Sequence, residues 1–416
     1  MEFKRFLLLI IIISLSNIVI AQTKENKALQ LRYDIFKEIN FSTEYDLGSY
    51  LNNTFLKSYY TGNFIDEDLK NTNYDRLKSE KNPFGISSIT KLQFRQLPET
   101  MLGKHNMGYS VVFQYNYYQE FEFTSDAYNL ALYGNKSYAG KNANLNNMRI
   151  NNQSFYQIKS GLFFQNRDKY KEYGFQVALN IGNQFHNYSS NNAILYTNSI
   201  GEYINLKGEF QNQQTSYLEN NKTQGIGGGI DLYYQINKRN SYFIRVELNN
   251  LGFIYWDNKS SNYNKTENLE FNGIEVSNIF EMPSPLLSTT ANDSIKNYIA
   301  SNSTIGNITT FTPSDFKLSA QYFIKDNINI STLFNYRFFS VYKPFYKISL
   351  KYYFSDKLYL GPNISYGGYT KFNIGMEFQT EISHNFVLNL QTKYLSGLLI
   401  NQFSGIGAFL GINYKL

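Results

Sequence analysis

Residues 372–382 read FNIGMEFQTEI. Phe372, Ile374, Met376, Phe378, Thr380 and Ile382 fall on one side; Asn373, Gly375, Glu377, Gln379 and Glu381 fall on the other. Successive strand side chains point to opposite faces, so a period of two over this length is a strand with one apolar and one polar face. A tilted strand needs ~9–11 residues to cross a bilayer, and this one is long enough.

The same pattern continues on both sides. Strand 386–394 sets Phe386, Leu388, Leu390 and Tyr394 against Asn389, Gln391 and Lys393. The last segment, 405–416, puts Ile406, Ala408, Leu410, Ile412 and Tyr414 together. Upstream, 328–338 sets Ile328, Ile330, Thr332, Phe334, Tyr336 and Phe338 outward, and 316–324 does so with Phe316, Leu318, Ala320, Tyr322 and Ile324. A soluble antiparallel sandwich also alternates. Here the alternation runs through many consecutive hairpins, and the polar face carries charges of both signs while the apolar face carries almost none. A lipid-facing wall around a polar lumen accounts for both.

Counting such segments predicts strands near 107–121, 155–165, 172–184, 192–198, 203–211, 224–236, 241–253, 314–324, 327–339, 344–354, 358–368, 371–382, 386–396 and 403–416. The reading is an all-β fold, a transmembrane antiparallel up-and-down β-barrel of about 14 strands with long outer loops. A further pair near 40–49 and 87–96 makes 16 the alternative. Tight polar turns at 237–240, 326–327, 355–357 and 383–385 alternate with longer connections. That asymmetry places the tight turns and the C-terminus on the periplasmic side. Three stretches do not read as wall: 50–86, 122–153 with a short helix at 125–132, and 254–313 with a short helix at 291–300. Loops this long usually carry function.

Composition agrees. Aromatic residues make up 17% of the 416, with 37 Tyr and 34 Phe but one Trp. Tyr and Phe suit strands, and Tyr suits a membrane interface. Mean hydropathy is −0.41, too polar for helical spans. Residues 1–21 (MEFKRFLLLIIIISLSNIVIA) read as a cleaved signal peptide, with Lys4 and Arg5 ahead of an apolar core and Val19 and Ala21 at the cleavage positions. The expected mature chain, 22–416, is a single outer-membrane barrel domain in which 22–85 is a plug or N-terminal extension. The net charge of +6 is spread singly, without the basic stripe of a nucleic-acid binder.

The chemistry-bearing residues are sparse. The absence of Cys removes disulfides, thiolate metal sites and a cysteine nucleophile. His105, His186 and His384 have no metal-type spacing and read as solvated turn or rim residues. The cluster Gly225, Gly227, Gly228 and Gly229 lacks the Lys-Ser/Thr of a phosphate loop and reads as a bend or close approach in a strand. No cofactor, metal or catalytic set is expected. The candidate lumen-lining residues are Asp231, Arg245, Glu247, Lys317, Arg337, Lys347, Lys351, Glu377, Glu381 and Lys393. Unpaired buried charges are costly, so these either knit the interior shut or line a wet channel.

The segments Leu132–Gly140 (LYGNKSYAG), Gly225–Tyr234 (GIGGGIDLYY) and Leu251–Trp256 (LGFIYW) follow one another in that order. In this they resemble an uncharacterised Bacteroidota outer-membrane barrel family, a domain of unknown function. That family is similar in turn to the barrel class of the long-chain fatty-acid transporter and the type IX secretion shuttle proteins. The resemblance covers the chain from about residue 85 and implies a membrane address and a barrel of about fourteen strands. It supplies no catalytic or binding residues.

The expected function is a non-enzymatic barrel, in contact with outer-membrane lipid, that passes or binds a small solute, hydrophobic ones included. The alternative is a secretion-associated or surface scaffold with a plugged lumen and a partner protein at 254–313. A barrel enzyme acting on lipid or peptide and a secreted β-rich adhesin are weaker readings.

Overall fold

A computed structural model of the chain describes residues 36–166, 170–215, 223–238, 241–272, 301–400 and 403–416. The predicted leader and the predicted helix at 291–300 lie outside the described residues.

The strands are β1 (Phe36–Ser49), β2 (Asn82–Leu97), β3 (Met107–Phe123), β4 (Lys141–Asn144), β5 (Arg149–Asn166), β6 (Lys171–Thr197) and β7 (Ile204–Gln214). They continue with β8 (Gly225–Lys238), β9 (Tyr242–Trp256), β10 (Ser261–Phe271), β11 (Thr304–Ile305), β12 (Ile308–Phe311) and β13 (Ser314–Lys325). The last are β14 (Ile328–Phe338), β15 (Lys343–Ser355), β16 (Leu358–Gly368), β17 (Phe372–Ser383), β18 (Phe386–Thr392) and β19 (Ile406–Lys415). Helices are α1 (Asn53–Thr61), α2 (Glu67–Tyr74), α3 (Ser125–Tyr133) and α4 (Leu395–Leu399).

Fourteen of these strands close a barrel, all neighbours antiparallel: β1, β2, β3, β5, β6, β8, β9, then β13 to β19, with β19 pairing back onto β1 from Glu38↔Lys415 to Leu47↔Ile406. Closure pairs each strand with a neighbour on both sides except at the long-loop end of β17 to β19, and removing edges in this way is what lets strands span a bilayer. The outward face is apolar and exposed, as at Phe175, Ile230, Leu318, Ile348, Ile364 and Ile374.

The count of fourteen holds, but its membership differs from the sequence reading. The optional pair 40–49 and 87–96 is wall, as β1 and β2. The segments 192–198 and 203–211 are not. Strand β6 pairs with β8 only over Lys171–Gly182; its upper part, from His186 to Thr197, pairs with β7. With β4, β10 and β11 it forms a sheet extension beyond the barrel. Alternation reports strand pairing between two environments, and an extension outside lipid satisfies it equally.

The tight turns 326–327, 356–357 and 384–385 join hairpins at one end of the barrel, which also holds the C-terminus. The helices and the extension lie at the other, long-loop end. The predicted helix at 125–132 is α3, capped by the Thr124 side chain accepting from the Ala127 N–H at 3.0 Å. Of the stretch 50–86, α1 and α2 pack with α3 around Leu51, Phe55, Leu56, Phe123 and Tyr128.

Candidate functional site

Inward-facing side chains fill the lumen in paired sets at three heights. Near the tight turns, Arg95 of β2 ion-pairs with Glu172 at 2.8 Å and Glu38 at 3.3 Å, stacked on the Phe163 ring. The Tyr233 hydroxyl donates to the same Glu172 at 2.7 Å. Beside it, Arg245 donates to Gln235 at 2.6 Å and ion-pairs with Glu247 at 2.8 Å.

At mid-height, Lys159 of β5 reaches past β6 to Asp231 of β8 at 2.6 Å and to Asn250 at 2.7 Å. The Asn250 N–H donates to Asp231 at 2.7 Å, which leaves this buried carboxylate fully partnered. Charge-assisted bonds of this length offset part of the desolvation of both ions. On the opposite wall Glu377 takes Lys347 at 2.6 Å, Lys351 at 3.3 Å and the Ser349 hydroxyl at 2.8 Å. Lys393 bridges Asp46 at 2.7 Å and Glu44 at 2.9 Å.

At the long-loop end, two connections fold into the lumen instead of away from it. Phe339, with φ 55°, turns 340–342 inward; Gly367 and Gly368, with φ 101° and 72°, turn 369–371 inward. Glycine takes such angles without steric cost. Tyr369, fully buried, donates to Glu120 of β3 at 2.6 Å. Glu120 also accepts from the Ser340 hydroxyl and from the Val341 N–H at 3.1 Å. Arg337 closes the set, bound to Asp315 at 3.1 Å and to the Tyr369 oxygen at 3.3 Å. Strand β3 stands across the ring from β14 to β17, so these bonds span the lumen.

Of the ten candidate residues, Asp231, Arg245, Glu247, Arg337, Lys347, Lys351, Glu377 and Lys393 take part in these sets. Lys317 lies on the inward face opposite Glu247 and within electrostatic reach of Glu44. Glu381 sits near the tight-turn rim, 3.5 Å from His384. The sequence reading did not single out Glu44, Asp46, Arg95, Glu120, Lys159, Glu172 and Asp315. Strand alternation could have found each one, since all lie on polar faces. Tyr394, expected on the apolar face, is instead buried and donates to Asp46, because β18 ends at Thr392. The glycine run of β8 is a close approach: a Cβ on Gly227 would meet the Phe253 carbonyl at 1.9 Å.

A cavity of about 160 Å³ remains inside this packing. Leu333, Phe345 and Phe409 line it with apolar surface; Glu44, Lys347, Asn363, Gln391 and Lys393 line it with polar groups. Asn363 is 3% exposed and its Oδ1 has no partner. The cavity lies where the wall forks. Pairing of β17 with β18 ends at Met376↔Thr392, and pairing of β18 with β19 ends at Gln391↔Phe409. Above that level α4 replaces the strand, tied to β17 by the Ile374 N–H donating to the Ser396 hydroxyl at 3.3 Å.

Residues 28–389 match the model of a family described as being of unknown function, DUF5723. The chain belongs to this family. No curated protein matches the sequence. Among solved structures the chain is similar to a TodX mutant described as a monoaromatic hydrocarbon channel, at 8% identity and TM-score 0.45, covering 92% of this chain and 90% of that one. It is also similar to the P. putida toluene transporter TodX, at 9% identity and TM-score 0.42, with coverage of 92% and 90%. A Pseudomonas aeruginosa FadL homologue matches at 6% identity and TM-score 0.42, covering 91% and 90%. The likeness is one of barrel architecture.

Proposed function

We propose that the DUF5723 chain is a non-enzymatic outer-membrane barrel, exported through a signal peptide at residues 1–21 that is then cleaved, and that it takes a small amphipathic solute into its lumen. The cavity at the β17–β18–β19 fork carries this reading. Its volume is close to the ~150 Å³ that lets an engineered apolar cavity hold a benzene ring. Its apolar floor of Leu333, Phe345 and Phe409 suits a ring, and the polar side chains Glu44, Lys347, Gln391 and Lys393 on its border suit a polar substituent.

The test is 19F NMR of 4-fluorophenol with the folded protein in lipid nanodiscs. The proposal expects a distinct bound resonance that Leu333→Trp abolishes and the lipid-facing Leu318→Trp leaves intact. A spectrum identical in all three proteins overturns it.

The cross-lumen bonds of Glu120 favour a second reading, a scaffold barrel whose lumen is shut. The surface expected for its partner, 254–313, is described only in part. Under this reading the cavity holds water, 4-fluorophenol gives no bound signal, and cross-linking recovers a partner.

A further inference from the structure

Helices α1 and α2 pack against the outward face of the wall at the long-loop ends of β1 to β3. Their apolar residues Phe55 and Leu56 pack in one cluster with Leu47, Phe84 and Phe121. Leu47 of β1 is one residue from the inward-facing Asp46, so it points outward; Phe84 and Phe121 pair on the same outward face. Below this contact the outward row is Tyr45, Ser88 and Tyr117. Phe55 of that cluster stacks on Tyr59 at 6.5 Å, which carries the end of α1 along this flank of the wall.

The other side of this hairpin faces no protein among the described residues. Tyr59 is 65% exposed, Tyr60 60% and Phe64 88%. Tyr59 and Tyr60 stand edge to face at 6.0 Å and Phe64 follows in the next turn of chain, and exposed aromatics grouped on an exterior flank call for an occupant. Their height supplies one. Tyr45 is nine residues along β1 from Phe36, and at ~3.3 Å per residue with a tilt of ~40° that is a rise of roughly 23 Å. The apolar band of an outer-membrane barrel is about 25 Å tall, with aromatic girdles at both borders. The α1–α2 turn therefore sits at the upper border of the band and continues the lipid-facing surface. The acidic first turn of α2, Asp66, Glu67 and Asp68, stands next to it and requires water.

We propose that the α1–α2 hairpin is an interfacial lipid anchor, seating Tyr59, Tyr60 and Phe64 at the membrane–water boundary on the long-loop side of the barrel. The occupant is the lipid surface itself. The hairpin widens the contact between barrel and bilayer at β1 to β3, and it fixes the depth and tilt of the wall there. This inference needs the barrel to span a membrane but does not depend on the solute cavity.

The cysteine-free chain makes the test direct. Single variants Tyr59→Cys, Phe64→Cys and Asn71→Cys carry a nitroxide label, with Leu350→Cys on the wall as the lipid reference. The protein is reconstituted in phosphatidylethanolamine–phosphatidylglycerol vesicles, and collision with oxygen and with a water-soluble nickel chelate is measured. The expected result is an oxygen-to-nickel ratio at 59 and 64 severalfold above that at 71, approaching that at 350. Ratios at 59 and 64 equal to that at 71 place the hairpin in water and overturn the proposal. Exclusion of both reagents at 59 and 64 shows a protein contact, a second copy or a partner, and overturns it as well. All four positions are exposed, so folding is retained and each outcome is readable.

Discussion

The hydroxyl of Tyr369, on the connection between β16 and β17, donates to Glu120 of β3 at 2.6 Å across the width of the barrel. The Arg337 guanidinium holds the same tyrosine oxygen from the other side at 3.3 Å. Removing this one hydroxyl in Tyr369→Phe leaves both partners short of a bond. Leaving buried polar groups unsatisfied costs about 1–3 kcal/mol. The midpoint of the heat-induced gel-mobility shift should fall in Tyr369→Phe, and further in Glu120→Ala, which also strips Ser340 and Val341 of their acceptor.

The ring of Tyr369 depends on the absence of a side chain at Gly85, where a Cβ would stand 2.2 Å from a ring carbon. Gly85→Val should therefore destabilise the barrel by an amount typical of overpacking, about 1–3 kcal/mol. Tyr369→Ala in the same chain should recover part of that loss. Purely additive effects of the two changes in a double-mutant cycle would show that they do not share the site.

Lys159 and Asp231 form a buried pair at 2.6 Å. Lys159→Met leaves an uncompensated carboxylate and should cost about 3–5 kcal/mol, whereas the double variant with Asp231→Leu should regain much of it. Unfolding in urea with the protein in lipid vesicles checks both. The same low stability in the double variant as in the single one would contradict the pairing argument.

Acid should loosen the loop after α3 before it affects the wall. The Asn144 and Asn147 side chains each donate to Glu80 at 2.8 Å and hold its carboxyl below the usual glutamate range. A depressed folded-state pKa means that this stabilisation is present above the ordinary glutamate value and is lost as pH falls through the lower, folded value. A nitroxide at Lys141→Cys should gain mobility on acidification below about pH 4. In a Glu80→Gln background the mobility should be independent of pH over that range.

The wall was the legible part of this chain. In 372–377 exposure alternates as the sequence predicts, with Phe372 and Ile374 exposed and Asn373, Gly375 and Glu377 buried. Legibility failed where the environment did not change with the pattern. Segment 203–211 alternates as well as the wall does, yet with 192–198 it lies beyond the closed barrel. Strand β1 alternates too, with Ile39, Phe41, Tyr45 and Leu47 outward against Asn40, Ser42, Glu44 and Asp46 inward, and its place in the wall was readable in the sixteen-strand alternative. The lumen charges could be assigned to a face, but not to partners. Glu120 and Tyr369 are 249 residues apart, and only closure of the ring brings them together.

Planar-bilayer recording tests most directly the claim that paired side chains close the lumen around a solute-sized space. The account predicts no steady ohmic conductance from the reconstituted wild-type barrel, and measurable conductance once Glu120→Ala releases the inward-folded connections. A steady conductance of the size expected for a water-filled pore in the wild-type protein, unchanged by Glu120→Ala, would contradict it.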